Sequence, residues 1–138
     1  MAYDSSNIFA KILRGELPCV KIYEDGQTLS FMDIMPSAEG HTLVIPKEAA
    51  ETIFDLSADG AAALMRTTHK VATAVKKALD APGIMLFQLN GAESGQSVPH
   101  VHFHILPRKA GIDLKLHGRT MLDAKTLEPI AAKIRAAL

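Results

Sequence analysis

The spacing of apolar and polar positions changes several times along the chain, and each change marks an element. Ile8, Phe9, Ile12 and Leu13 recur at helical spacing, so residues 6–14 read as a short helix with Ser6 as N-cap and Gly15 as its stop. Val20–Tyr23 and Leu29–Met32 read as short strands around Glu24-Asp25-Gly26-Gln27, where Asp-Gly predicts a hairpin. Residues 35–40 read as a loop, and Thr42–Ile45 as a β-branched strand closed by Pro46. The longest helical period begins at Ser57 and runs to about Leu79. It is carried by Leu64, Met65, Val71, Val75, Ala78 and Leu79 and ended by Pro82-Gly83. Ile84–Leu89 is apolar on both alternating faces, as in a strand covered on two sides. Asn90–Pro99 is a loop of small polar residues, Val101–Leu106 a strand, and residues 107–125 carry weak signals. A last helix over Leu127–Ala137 sets Ile130, Ile134 and Leu138 on one face and holds Pro129 in its first turn. Paired strands, one long helix and two more strands predict an α+β fold with an antiparallel sheet of about five strands.

Composition narrows the picture. With 138 residues the chain is expected to form one domain over residues 1–138 and to fold without a disulfide or metal. Fifteen basic residues balance fifteen acidic ones, so the field of a nucleic-acid or membrane-surface binder is missing, and neither partner is expected. Cys19 is the only cysteine, which excludes an intrachain disulfide and a Cys-rich zinc module. No secretory leader or membrane span is legible, and a cytoplasmic location is expected.

Three of the six histidines fall in His100-Val101-His102-Phe103-His104-Ile105-Leu106. On a strand they share one face, while Val101, Phe103 and Ile105 share the other and can enter a core. Two chemistries compete for such a face. One is metal ligation. At a rise of about 3.3 Å per residue His100 and His104 lie about 13 Å apart along the strand, too far to bind one ion together. A site using two of them needs a further ligand such as His41, Glu93 or Asp33. The other is nucleophilic catalysis, with a central imidazole attacking an electrophile and its neighbours orienting it.

The segment resembles the signature of the histidine triad (HIT) family. The N-terminal stretch 8–18, Phe31-Met32-Asp33-Ile34, Gly40-His41-Thr42-Leu43-Val44-Ile45-Pro46-Lys47 and Gly95-Gln96-Ser97-Val98 resemble, in order, blocks of its Hint branch. The resemblance implies a HIT-like fold with one short, one long and one C-terminal helix, and a purine nucleotide substrate hydrolysed without a cofactor. It implies His102 as nucleophile toward an α-phosphorus, His104 on a nonbridging oxygen, and His100 with His41 tuning the nucleophile. Ser97 would protonate a departing amine or bind an oxygen. Asp33 would accept both ribose hydroxyls, though an Asx turn explains it equally. Ile34, Ile8 and Phe9 would wall a base pocket or simply pack. Asn90, Gly95 and Gln96 would meet ribose or phosphate. His69 and His117 have no motif and read as surface residues.

The reaction implied is cleavage of nucleoside 5′-phosphoramidates such as adenosine phosphoramidate. A dinucleoside polyphosphate hydrolase, a nucleotide sensor with vestigial catalysis and a metal-dependent hydrolase are the alternatives. Ile84-Met85-Leu86-Phe87 is apolar on both faces, which one layer of helix cannot cover, and the Hint branch pairs this region and the long helix across a two-fold axis, so a homodimer is expected. In one respect the chain departs from some relatives. Their structural zinc site uses Cys-x-x-Cys, matched here by Asn7 and Ala10, and a histidine replaced around Glu48-Ala49, so no metal is expected.

Overall fold

A computed structural model describes residues 2–115, 117–118 and 120–138. The chain runs through α1 (Ile8–Leu13), β1 (Lys21–Glu24), β2 (Thr28–Met32), β3 (Thr42–Pro46), α2 (Ala58–Leu79), β4 (Gly83–Gln88), β5 (Phe103–Arg108) and α3 (Ala124–Ala136), with short 3₁₀ turns at Ile53–Asp55 and Ala92–Ser94. The five strands form one sheet in the order β1-β2-β3-β5-β4, every neighbouring pair antiparallel. This is the α+β arrangement that the periodicity predicts.

Alternation along the strands divides the sheet between two cores. Met32, Val44, Val101 and Ile105 face α2 and α3, where they meet Leu64, Val71, Val75, Leu127, Ala131 and Ile134. Leu29, Phe31, Leu43 and Ile45 face the other way and pack with Phe9 of α1. Burying side chains of this size stabilises each by about 1.5–3 kcal/mol relative to exposure, so both faces contribute to holding the sheet. Thr28 Oγ1 and Thr67 Oγ1, 2.6 Å apart and buried, tie β2 to α2 through a satisfied polar pair. At the β1–β2 turn Asp25 Oδ1 accepts from the backbone N–H groups of Gln27 and Thr28, which is why Asp-Gly works there.

Several local expectations shift. Asn7, not Ser6, caps α1: its side chain accepts from Ala10 N–H, while Ser6 turns to Asp4. The helix α2 starts at its Ser57 cap but ends on Asp80, which adopts a left-handed conformation (φ 48°) ahead of Pro82-Gly83. Met65 lies on its solvent face, 47% exposed, and Thr67 and Thr68 take the buried places. The last helix starts at its Asp123 cap, so Pro129 stands in the second turn, and Leu127, Ala131 and Ile134 form the buried stripe while Leu138 is exposed. Strand β5 begins at Phe103, leaving His100 in a bend and His102 in irregular chain just before it. The strand over 84–89 proves to be the sheet edge, with Leu86 44% exposed.

Candidate active site

The pleat of β5 and its neighbours places the triad. His104 pairs with Leu43 on β3 and Phe87 on β4, all three on the α1 side of the sheet. Val101 and Ile105 anchor the intervening positions in the opposite core, so the histidines alternate outward even where the ladder has not yet begun. His41 arrives from the start of β3. Gly40 before it has φ +88°, and a Cβ there would stand 2.2 Å from Leu79 Cδ1, so only glycine fits the approach.

Hydrogen bonds assign each imidazole its tautomer. His102 Nδ1 lies 2.7 Å from the carbonyl oxygen of His100, an acceptor only, so Nδ1 carries the hydrogen and Nε2 is the bare nitrogen. Ser37 N–H donates to His41 Nδ1 at 3.0 Å, so His41 carries its hydrogen on Nε2 and donates it to His104 Nδ1 at 2.9 Å. His104 is thereby left with an N–H at Nε2. Phe87 stacks on the His104 ring at 4.2 Å, and Phe9 meets His102 edge-on at 4.9 Å. The two rings are 4.8 Å apart and line one cavity of about 700 Å³. The cavity therefore receives a lone pair from His102 and a donor from His104, the pair that attack on an oxygen-bearing electrophile requires.

Burial keeps these rings neutral. Desolvation, with smaller effects of neighbouring histidines, lowers His41 and His102 to about 4 and His104 to about 2, and it lowers His100 as well. Burial raises Asp33 to about 6. His41 Nε2 lies 3.5 Å from Asp33 Oδ2, but with the imidazole neutral this is a polar contact and not an ion pair.

Asp33, Ile34, Ile8, Phe9 and Ser97 line the same cavity as His102 and His104. One oxygen of Asp33 does form the Asx turn, accepting from Met35 N–H at 2.8 Å. Ile8 and Ile34 are 47% and 43% exposed and so serve the cavity wall, whereas Phe9 is shared between wall and core. Hydrogen bonds place the remaining candidates in the fold. His41 bonds to His104 and not to the nucleophile candidate, and the His100 ring lies behind the site, acting on His102 only through its backbone carbonyl. Asn90 is spent on Ile53 N–H and Gln88, and Gln96 on Gly91 N–H and the carbonyls of Glu51 and Val98. Both brace the loop outside the cavity. Gly95 closes the 3₁₀ turn Ala92–Ser94 with φ +105°, and a Cβ there would stand 3.8 Å from His117 Nε2. His69 is exposed on α2 as expected, but His117 lines the cavity, as do Val98 and Met121. No motif surrounds His117, and only the return of the chain after β5 brings it there.

Metal ligation fits these residues poorly. Among the described residues one group, Asp33, His41 and His104, brings ligand atoms within 4.8 Å of one another. The Ser37 N–H occupies His41 Nδ1, so an ion at Nε2 would demand an imidazolate. At the positions matching the relatives' cysteines, Ala10 offers no ligand, and Asn7 is engaged with Ala10, Tyr3 and Asp4.

The HIT domain profile matches residues 14–111, and the chain belongs to the HIT domain family. It is 43% identical over 103 residues to an adenosine 5′-monophosphoramidase of Schizosaccharomyces pombe, covering 75% of this chain and 74% of that one. Among solved structures it is similar to a HIT-like protein of Bartonella henselae involved in cell-cycle regulation (48% identity, TM-score 0.93, 99% of this chain and 100% of that one). It is also similar to a zinc-bound histidine triad protein of Mycobacterium smegmatis (32%, TM-score 0.83, 96% and 92%). Within this family the chain is a hydrolase.

Proposed function

We propose that this chain, as a single HIT domain, hydrolyses nucleoside 5′-phosphoramidates, such as adenosine phosphoramidate, through a nucleotidyl-histidine intermediate. The observation that carries the reading is the opposed pair of imidazoles: His102 offers Nε2 as a lone pair, and His104 offers Nε2–H, to one cavity. His102 Nε2 attacks the α-phosphorus and the phosphorus–nitrogen bond breaks. The amine leaves with a proton relayed from solvent by the Ser97 hydroxyl. Water then attacks the same phosphorus, the bond to His102 breaks, and the monophosphate departs. The His104 N–H, fixed by His41, stabilises charge on a nonbridging oxygen in both steps. The name of the S. pombe relative supports the phosphoramidate as substrate. The test compares turnover of adenosine phosphoramidate and diadenosine polyphosphates, each with and without chelator. Faster phosphoramidate cleavage that survives chelation is expected. Preference for the polyphosphate, or loss of turnover on chelation, overturns the reading.

Asp33 is proposed to select ribose, its remaining carboxylate oxygen taking the sugar hydroxyls while Ile8, Phe9 and Ile34 hold a purine. A buried acceptor built for a hydroxyl discriminates against its absence. AMP is expected to bind about tenfold or more tightly than dAMP, with Asp33→Ala closing most of the gap in titration calorimetry. Equal affinity for both nucleotides in the unmutated protein would refute the assignment.

A homodimer is proposed on the open edge of the sheet. Strand β4 leaves one side unpaired and Leu86 exposed, and α2 exposes Met65. Light scattering at micromolar concentration is expected to give twice the chain mass, and Leu86→Lys to give the single mass. A cytoplasmic location is likewise proposed; among the described residues no helix is long and apolar enough to cross a membrane.

A further inference from the structure

A side chain outside the cavity ties the N-terminal segment to the triad. Tyr3 Oη lies 2.5 Å from His100 Nδ1, across 97 residues of chain, and the two rings meet edge-on at 5.7 Å. The other ring nitrogen fixes the direction of this bond. His100 Nε2 lies 2.9 Å from the Pro46 carbonyl oxygen, which can only accept, so Nε2 holds the ring hydrogen and Nδ1 receives the one from Tyr3. Asn7 Nδ2 donates to Tyr3 Oη at 2.9 Å and to the Asp4 carbonyl at 2.7 Å, while Asn7 Oδ1 caps α1 at Ala10 N–H. Tyr3 Oη thus gives one hydrogen bond and accepts one. The fully buried His100 ring has both nitrogens satisfied. Its backbone carbonyl in turn accepts the Nδ1–H of His102.

We infer that Tyr3 is a positioning residue for His102: its hydroxyl, oriented by Asn7, clamps the His100 ring and so fixes the carbonyl that sets the tautomer and aim of His102. The inference rests on the reading of His102 as nucleophile. Neither Tyr3 nor Asn7 lines the cavity, so the clamp acts on the aim of the nucleophile and not on nucleotide affinity. A buried ring nitrogen stripped of its donor is free to reorient, and the cost falls on the step in which Nε2 must meet phosphorus in line.

The test uses two variants of the full chain. Tyr3→Phe removes only the hydroxyl. Asn7→Asp keeps an oxygen to cap α1 but turns an acceptor toward Tyr3, drawing its hydrogen away from His100. Each is expected to lower kcat about tenfold with KM within about twofold, and the double variant to lose no more than the worse single one, because both break one linkage. In the free protein the His102 Nδ1–H should give a slowly exchanging downfield proton resonance, and both variants should speed its exchange about tenfold or more. Unchanged kcat with an unchanged resonance would overturn the clamp. So would kcat losses that multiply in the double variant, as two separate structural lesions would. If Tyr3→Phe does not fold, Asn7→Asp carries the test through the same two readouts. Absence of a nucleotidyl-enzyme in rapid-quench experiments on the unmutated protein would refute the nucleophile reading alone, and the proton resonance would then decide the clamp.

Discussion

His102→Ala is expected to lower turnover by about 10⁴-fold or more, while AMP affinity stays within about fivefold. The asymmetry follows from the geometry. The ring of His102 supplies the bare Nε2, whereas most of the nucleotide would rest on Ile8, Ile34, Asp33 and the remaining cavity wall. His102→Gly leaves a slot bounded by the edge of Phe9 and the free carbonyl of His100. Added imidazole can donate one N–H to that carbonyl and present its other nitrogen to the cavity, so partial rescue is expected. Steady-state rates with calorimetric AMP binding decide the matter. An alanine variant that keeps turnover within tenfold of the unmutated protein would remove His102 from the chemistry.

The second large effect is on stability in mild acid. His41 and His102 titrate at about 4 and His104 at about 2 in the folded chain, against 6.5 when unfolded. Below pH 6.5 the unfolded chain takes up protons that the native state refuses, so the stability held above that pH is lost as pH falls. Asp33 works in the opposite sense. Its carboxyl is raised from 3.8 to about 6, so its contribution is present below 3.8 and lost as pH rises through 6. Each unmatched proton is worth about 1.4 kcal/mol per pH unit, and near pH 5 three histidines against one carboxyl leave a loss of about 3 kcal/mol per unit. A domain of this size has about 5–15 kcal/mol to lose, so the fall of about 7 kcal/mol between pH 7 and 4 is expected to remove from about half to all of it. Urea titrations from pH 7 to 4.5 should show the slope, and His104→Asn should reduce it by about one proton. A flat profile between pH 7 and 5 would contradict the burial of these rings as neutral species.

The sheet, the long helix and the shared face of the triad were legible because each rests on a local period. Val101, Phe103 and Ile105 alternate with histidines whether or not a ladder is formed, so the facing survived an error of two residues in where β5 begins. The atoms used were not legible. The family resemblance implies a tuning role for His100 and His41. The structure uses the carbonyl of His100 and sends the His41 ring to His104, and that choice depends on the turn that brings Ser37 N–H back to His41 and on Pro46 and Tyr3, both far from His100 in sequence. Asn90 and Gln96 have the chemistry of ligand contacts, yet their side chains also hold the loop, Asn90 to Ile53 and Gln88 and Gln96 to Gly91, Glu51 and Val98. The caps divide in the same way. Ser57 was evident before a long amphipathic run, whereas Ser6 and Asn7 are both good caps and only the turn through Asp4 separates them.

Phe87 lies face to face with His104, 4.2 Å from it, and belongs to the strand at the rim of the sheet. A single aromatic ring thus separates the His104 imidazole from the open edge of the sheet. Whatever docks along β4 and shifts Phe87 alters the field and the freedom of the His104 imidazole. By thermodynamic linkage, occupancy of the cavity must then alter affinity at the rim by the same factor. Nucleotide affinity that varies with protein concentration, and an association constant that varies with bound nucleotide, would be two readings of one coupling free energy carried by that ring.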